Sequence, residues 1–413
     1  MAVLDDSLIV CRFAFNPPDI EGKLSLLLRS IEESASLSLH AFEHDERRGF
    51  SFLELQGAQR ECDALRARVM AGYTATRPSK TGRSDESEER FVHLKASAEA
   101  PLYAGEDRQS WVLTLLGTPL SPAALREGLT LLARKGVKLV RSRSLASNPL
   151  RALEWTLLLE AEALPGLRED ILRLRDQHPA LDLGLERSSP ARRFRRLLVM
   201  DVDSTLIEME VIDELARMHG VQEAVSTITR RAMEGELDFE QSLRKRVAML
   251  EGLSVESMLS LVEKLPVNPG AASLFRALRA MGCKSAIVSG GFLFAVEALR
   301  EKLGIDVAYA NDLEIVSGKL SGALRGDIVG PHTKAEVLER LARESNADLT
   351  QTIAVGDGAN DVEMIQRAGL GVAYDAKAFL RKHADATLQR GGLERVLHYC
   401  GIDEDEIEAL SRL

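Results

Sequence analysis

The stretch "LLVMDVDSTLIEME", Leu197 to Glu210, ends four apolar residues on two aspartates set one residue apart. An apolar run without polar alternation predicts a strand buried on both faces, as in a parallel sheet. Successive strand side chains face opposite ways. Asp201 and Asp203 can therefore serve one site only if the strand stops near Asp201 and the chain turns. The turn would present the Asp201 side chain and the Asp203 backbone together. Three similar runs follow, "SAIV", "TIAV" and "LGVA", alternating with stretches of helical spacing. That grammar predicts an α/β fold with a doubly wound parallel sheet, whose ligands bind beyond the carboxyl ends of the strands. Ser289-Gly290-Gly291 follows the second run and Gly356-Asp357-Gly358 the third. One sheet edge would collect both with Asp201 and Asp203.

The residue types at that edge point to a hard cation and a phosphate. Carboxylate and carbonyl oxygens without His or Cys suit Mg2+, which keeps room for waters and a substrate phosphate. A carboxylate beside such an ion can attack phosphorus and give an aspartyl phosphate. A second carboxyl group can protonate the leaving alcohol and then activate water. Ser289 and its glycines offer a hydroxyl and backbone N–H groups to phosphoryl oxygens. Lys334, in "GPHTKAEVL", adds a compact positive charge. His332 nearby reads as a loop residue, not a catalyst, and the eight histidines form no HxH or HExxH spacing.

"DVDST", "SGG", Lys334 and "GDGAND", in that order, resemble the four motifs of haloacid-dehalogenase-type phosphatases. The likeness covers roughly residues 195–400. Through "IEMEVIDELA" and "RRAMEGELDFEQSLRKRV" it is strongest to the members that hydrolyse phosphoserine, the last step of serine synthesis. The resemblance implies Asp201 as nucleophile and Asp203 as general acid and base. It implies Ser289, Gly290, Lys334 and Asn360 around the phosphate. Mg2+ would take Asp201, the Asp203 carbonyl and Asp357, with Asp361 orienting that shell or Lys334. The segment at about 209–275 resembles the family's helical cap. There Glu210 and Arg246 would hold the amino and carboxylate ends of phosphoserine, and Met233 and Phe239 would line the pocket. A carboxylate suits an ammonium and a guanidinium suits a carboxylate.

Two polar stretches divide the chain. "TRPSKTGRSDESEER", Thr76 to Arg90, is nearly free of apolar residues, and "RSSPARRFRR", Arg187 to Arg196, reads as a solvated linker into the domain at 192–413. Before the second stretch the order β-α-β-β-α-β reads twice, over 1–100 and 108–188. In the first, "SLIVCRFAF" precedes Leu24, Leu27, Leu28 and Ile31 at helical spacing, then "SLSLHAFEH" and "GFSFLELQ". In the second, "WVLTLLG" precedes Leu125, Leu129 and Leu132. "VKLVRSRSL", "LEWTLLLEAE", a helix carrying Leu167, Ile171 and Leu174, and a strand at Leu181 to Leu185 follow. These two ferredoxin-like α+β modules resemble ACT domains. That resemblance implies an amino-acid effector, serine first, and a homodimer.

Composition narrows the partners. A net charge of −10 over 413 residues argues against nucleic acid or an anionic membrane as the main partner. No apolar run reaches the ~18–20 residues that span a bilayer. Four scattered cysteines without a CxxC pair fit a reducing cytoplasm. Two other functions remain in view: a phosphatase or phosphotransferase for another small monoester, and an amino-acid-sensing protein whose catalysis is secondary. A P-type ATPase is set aside, since "DKTGT" and membrane helices are absent.

Overall fold

The structure is a computed structural model and describes residues 8–15, 38–45, 50–58, 92–94, 108–147, 150–389 and 391–413. Two compact units divide the chain, Met1–Ser188 and Ser189–Leu413. The expected helix at Leu24 to Ile31 and the polar stretch Thr76 to Arg90 lie outside the described residues.

In the first unit the strands are β1 (Leu8–Phe15), β2 (Ser38–Asp45), β3 (Phe50–Ala58), β4 (Val92–Leu94), β5 (Arg108–Gly117), β6 (Lys138–Ala146), β7 (Arg151–Glu160) and β8 (Leu181–Arg187). Helices α1 (Pro122–Arg134) and α2 (Ala163–Gln177) belong to the second half. There β5-α1-β6-β7-α2-β8 gives the sheet order β8-β5-β7-β6, antiparallel throughout. The apolar positions read at helical spacing close this core. Leu125, Leu129 and Leu132 of α1 and Leu167, Ile171 and Leu174 of α2 pack over Trp155 and Leu157 of β7. Burying each such side chain contributes about 1.5–3 kcal/mol. In the first half β2-β3-β1 is antiparallel, but β4 runs parallel to β1, unlike its counterpart β8 beside β5. A short antiparallel contact between β2 and β6 joins the halves into one sheet.

The second unit is built on β9 (Leu197–Met200), β10 (Lys284–Phe292), β11 (Val307–Val316), β12 (Lys319–Arg325), β13 (Thr352–Gly356), β14 (Leu370–Tyr374) and β15 (Ala386–Leu388), ordered β12-β11-β10-β9-β13-β14-β15. All pair in parallel except the edge strand β12, which runs antiparallel to β11, so the sheet is mixed. The four apolar runs are β9, β10, β13 and β14, buried as their composition requires. On one face Leu197 and Val199 pack with Ala335, Leu338 and Leu341 of the helix Pro331–Glu344. Because β10 and β13 flank β9 on opposite sides, the strand order reverses at β9 and opens a crevice at its carboxyl end.

Between β9 and β10 the chain is helical: α3 (Val211–His219), α4 (Gln222–Met233), α5 (Phe239–Ala248), α6 (Val255–Leu259) and α7 (Ala271–Ala280). Asp238 caps α5, accepting from Gln241 N–H at 2.8 Å while the Gln241 side chain returns to Asp238 N–H. The chain segments entering and leaving this insertion pair with each other, through Glu208 N–H to Pro266 O and Asn268 N–H to Leu206 O, both 2.9 Å. The turn after α5 is stitched to β12. Gly252 N–H donates to Leu320 O, Leu320 N–H to Leu253 O, and Val255 N–H to Gly318 O, at 2.9, 2.9 and 3.0 Å. The remaining helices used below are α8 (Leu293–Leu303), α9 (Pro331–Glu344) and α10 (Val362–Arg367).

The arginine run before β9 departs from the solvated linker expected of it. Arg192 and Arg195 are buried, and Arg195 Nη1 donates to Thr350 O at 2.6 Å. The buried guanidinium donates to the backbone of the turn before β13, so the charge is structural here. Among the described residues no helix is long and apolar enough to cross a membrane.

Candidate active site

Asp201 leaves β9 with its N–H donating to Val355 O of β13 at 2.9 Å, so its backbone still belongs to the sheet. The chain then turns: Thr205, Leu206 and Ile207 N–H groups all donate to Val202 O. Ser204 sits at φ 59°, the left-handed region that costs a non-glycine residue about 1 kcal/mol. The turn answers the spacing problem of the two aspartates. Asp203 faces the β10 side, where its Oδ2 accepts from Ser289 Oγ at 2.8 Å and its Oδ1 from Val211 N–H at 2.9 Å. Gly291 must be glycine, since a Cβ there would lie 2.5 Å from Asp203 Oδ2.

Lys334, on the first turns of α9, is 1% exposed and lies between two carboxylates. Its Nζ is 2.7 Å from Asp201 Oδ1 and 2.7 Å from Asp361 Oδ1. Burial alone would lower its pKa, but the two anions outweigh burial and the net shift is upward. Asp361 spends its second oxygen on Gly358 N–H at 3.1 Å and tucks under Gly356, where any Cβ would overlap it. Asn360 Nδ2 donates to Asp201 Oδ2 at 3.4 Å.

One carboxylate oxygen from each of Asp201, Asp357 and Asp361 lies within 4.8 Å of the others. An all-oxygen set of this kind fits a divalent hard cation. The electrostatics agree. Burial, then the Asp201 charge, raises Asp357 to about 6. Burial and Asp201 also push Asp361 up against the pull of Lys334. Asp203 is raised by burial and by Glu210. Such crowding of anions is relieved by a cation among them. Asp203 has both carboxylate oxygens engaged, one by Ser289 Oγ and one by Val211 N–H.

On the helical insertion, Glu210 precedes α3 and accepts from Ser204 Oγ at 3.0 Å. It is exposed at the mouth of the cleft yet flanked by enough protein that burial raises its pKa, with Asp201 and Asp213 adding to the shift. Arg246, in the last turn of α5, is half-buried; burial lowers its pKa and the charges of Glu210, Asp213 and Asp203 oppose this. Phe239 opens α5 with its ring beside Gly290 and Gly330. Met233 ends α4, and its side chain lies outside those described. The expected residues Asp201, Asp203, Ser289, Gly290, Lys334, Asp357, Asn360 and Asp361 thus meet at one sheet edge, with Glu210, Arg246 and Phe239 on the insertion beside it. His332 is not in a loop, as expected from sequence, but in the first turn of α9. There it is exposed and lies 2.9 Å from Glu363 and 3.3 Å from Glu336; Pro331 at the first helical position starts the helix earlier than the Gly-Pro pair suggests.

Several contributors went unread. Ser204 orients Glu210, Thr205 Oγ1 donates to Asp357 Oδ1 at 3.4 Å, and Asn268 Nδ2 donates to Thr205 O at 2.7 Å. Asn311, in the middle of β11, bonds three backbone groups, Gly290 O in β10 and Val329 O and N–H ahead of α9. Only Ser204 and Thr205 had a signal, their place directly after the aspartates.

Residues 196–369 match the haloacid dehalogenase-like hydrolase family model. The chain is 40% identical over 328 residues to the phosphoserine phosphatase of Streptomyces coelicolor, covering 78% of each. It is 39% identical over 319 residues to a phosphoserine phosphatase of Mycobacterium tuberculosis, covering 77% of each. A crystal structure of a probable phosphoserine phosphatase from Vibrio cholerae superposes with a TM-score of 0.57 at 34% identity, over 74% of this chain and 90% of that one. With the acidic cluster, the buried lysine and the helical insertion in place, and with relatives of this identity matched over more than three quarters of their length, the chain belongs to the phosphoserine phosphatase family of haloacid dehalogenase-like hydrolases.

Proposed function

We propose that this protein hydrolyses O-phospho-L-serine to L-serine and phosphate through a phosphorylated Asp201. The observation that carries the reading is the Asp201–Lys334–Asp361 chain, with both Nζ distances at 2.7 Å. Lys334 sets its positive charge against Asp201 and holds that side chain in place, as a positioned nucleophile requires. An Asp201 oxygen attacks phosphorus as the bond from phosphorus to the serine oxygen breaks. Asp203, raised towards its protonated form, gives its proton to the departing serine oxygen. The resulting Asp203 carboxylate then takes a proton from water. The water oxygen attacks the same phosphorus, the bond to Asp201 breaks, and phosphate leaves. Ser289 and Asn360 orient phosphoryl oxygens, and Gly290 offers its N–H. Asp201, the Asp203 carbonyl and Asp357 would hold Mg2+, which supplies positive charge against the phosphoryl oxygens; Asp361 serves that shell through Lys334. Glu210 and Arg246 take the ammonium and carboxylate of the substrate, and Met233 and Phe239 cover it. The test is phosphate release from phosphoserine, phosphothreonine and sugar phosphates with and without Mg2+. Activity on sugar phosphates alone would overturn the substrate assignment.

For the N-terminal half we propose two ACT-like modules, at 1–100 and 108–188, ahead of the catalytic domain at 192–413 with its cap at about 209–275. The strand order of β5 to β8 supports the second module. The modules pair chains as a homodimer and bind an amino-acid effector, serine first. Cytoplasmic residence suits Cys283 and Cys400, buried thiols that form no disulfide. Residues 1–190, expressed alone and titrated with serine by calorimetry, separate an effector site from the catalytic pocket. No heat of binding would leave assembly as the role of these modules.

A further inference from the structure

Asn311 is 1% exposed and has no place in the chemistry above, yet each of its polar atoms is used. Its Nδ2 donates to Gly290 O at 2.9 Å and to Val329 O at 3.2 Å, and its Oδ1 accepts from Val329 N–H at 2.8 Å. One side chain therefore clamps the end of β10, which carries Ser289, to the segment leading into α9, the helix that carries Lys334. The two glycines brought together by this clamp face the same ring. A methyl group on Gly290 would lie 2.9 Å from Phe239 Cζ, and one on Gly330 would lie 3.2 Å from Phe239 Cδ1. Gly330 has φ −120° and ψ −170°, extended backbone open to any residue. Its lack of a side chain is explained by the ring and not by the backbone.

We propose that Asn311 and Gly330 are positioning residues: with Gly290 they form a seat for the Phe239 ring, and the seat fixes where the substrate-facing end of α5 comes to rest over Ser289. Phe239 begins α5 and Arg246 lies in its last turn, so the height of the ring on the seat sets the reach of the guanidinium into the cleft. The inference rests on the phosphoserine phosphatase reading only for its activity assay.

The experiment uses the full chain with Gly330→Ala, alone and combined with Phe239→Leu. The added methyl overpacks the seat by a few tenths of an ångström. We expect KM for phosphoserine to rise about tenfold with kcat little changed, because the groups on the sheet stay where they are. In the Phe239→Leu background, where a shorter side chain leaves room, the same substitution should change KM less than about twofold. Equal losses in both backgrounds, or no loss in the wild-type background, would overturn the proposal. Amide hydrogen exchange over residues 239–248 gives a readout free of substrate: it should quicken in Gly330→Ala, and unchanged exchange would also overturn the seat. Asn311→Asp is the second variant. It keeps the acceptor for Val329 N–H but turns the donor facing two carbonyls into an acceptor, and it too should quicken that exchange. A wild type that releases no phosphate from phosphoserine would sink the substrate reading while the exchange comparison still decides the seat.

Discussion

Lys334→Met is the perturbation most tightly constrained by the geometry. Methionine matches the length and apolar volume of the lysine stem but withdraws the charge from between Asp201 and Asp361, both almost fully buried. Removing one member of a buried, hydrogen-bonded ion network costs about 3–5 kcal/mol, since the partners stay behind uncompensated. For a folding unit of this size that is roughly 6–20 °C in Tm. The pH dependence has a defined sign. The lysine's raised pKa makes its contribution fully present below its ordinary value of 10.5 and lost only as pH rises through the folded-state value. The lysine itself therefore adds no slope near neutrality. In the variant Asp361, already pushed up by burial and by Asp201, loses the opposing pull of Lys334 and is driven further towards protonation, so the loss should be largest near pH 8 and shrink as pH falls towards 5. The measurement is calorimetric unfolding of both proteins in EDTA. Tryptophan fluorescence would miss the event, because Trp111 and Trp155 both lie within residues 1–188. A loss below about 1 kcal/mol at pH 8, or one that grows on acidification, would refute the ion-network account.

Asp203→Asn should retain Mg2+ binding by calorimetry, through the backbone carbonyl, while turnover falls by about 10²–10⁴ for want of a proton carrier; loss of Mg2+ affinity equal to that of Asp357→Asn would contradict the assigned role. Arg246→Ala should lower kcat/KM for phosphoserine about tenfold to hundredfold more than for phosphoethanolamine, which lacks the carboxylate; equal losses would make Arg246 structural. Asp357 rises from 3.8 to about 6 on folding, so the folded state holds its proton more tightly and the protein should lose stability as pH climbs from about 4 through 6 in EDTA. Asp357→Asn should remove that component of the Tm-against-pH curve, and added Mg2+ at pH 8 should raise the Tm of the wild type more than that of the variant.

What the sequence disclosed follows from where side-chain periodicity is forced. β9, β10, β13 and β14 are buried on both faces, so their apolar runs are continuous and unmistakable. β12 lies at an edge with mixed burial, and nothing in "KLSGALR" announces that it runs antiparallel. Asp201, Ser289 and Asp357 were legible because each directly follows a buried run. Lys334 is a single lysine in a helix and was found only by its order among the motifs. Asn311 carries no local signal at all, since its partners are backbone groups 18 and 21 residues away. The arginines before β9 were misread because composition records charge and not the carbonyl each charge meets, as Arg195 meets Thr350.

The three hydrogen bonds that stitch Gly252, Leu253 and Val255 to β12 make α5 a bar pinned at one end. Arg246 lies near the pinned end, and Phe239, ten residues of helix counting both ends of the element, begins the other. A lever held this way cannot translate; it can only pivot. Small shifts at the Phe239 end, about 15 Å of helix away, leave the fulcrum in place and change chiefly the tilt of the bar. Substrates would then enter by the gap that opens at the turn before α5, and each shift at the Phe239 end would reach Arg246 on the same helix as a smaller change of tilt, which sets how far its guanidinium extends into the cleft.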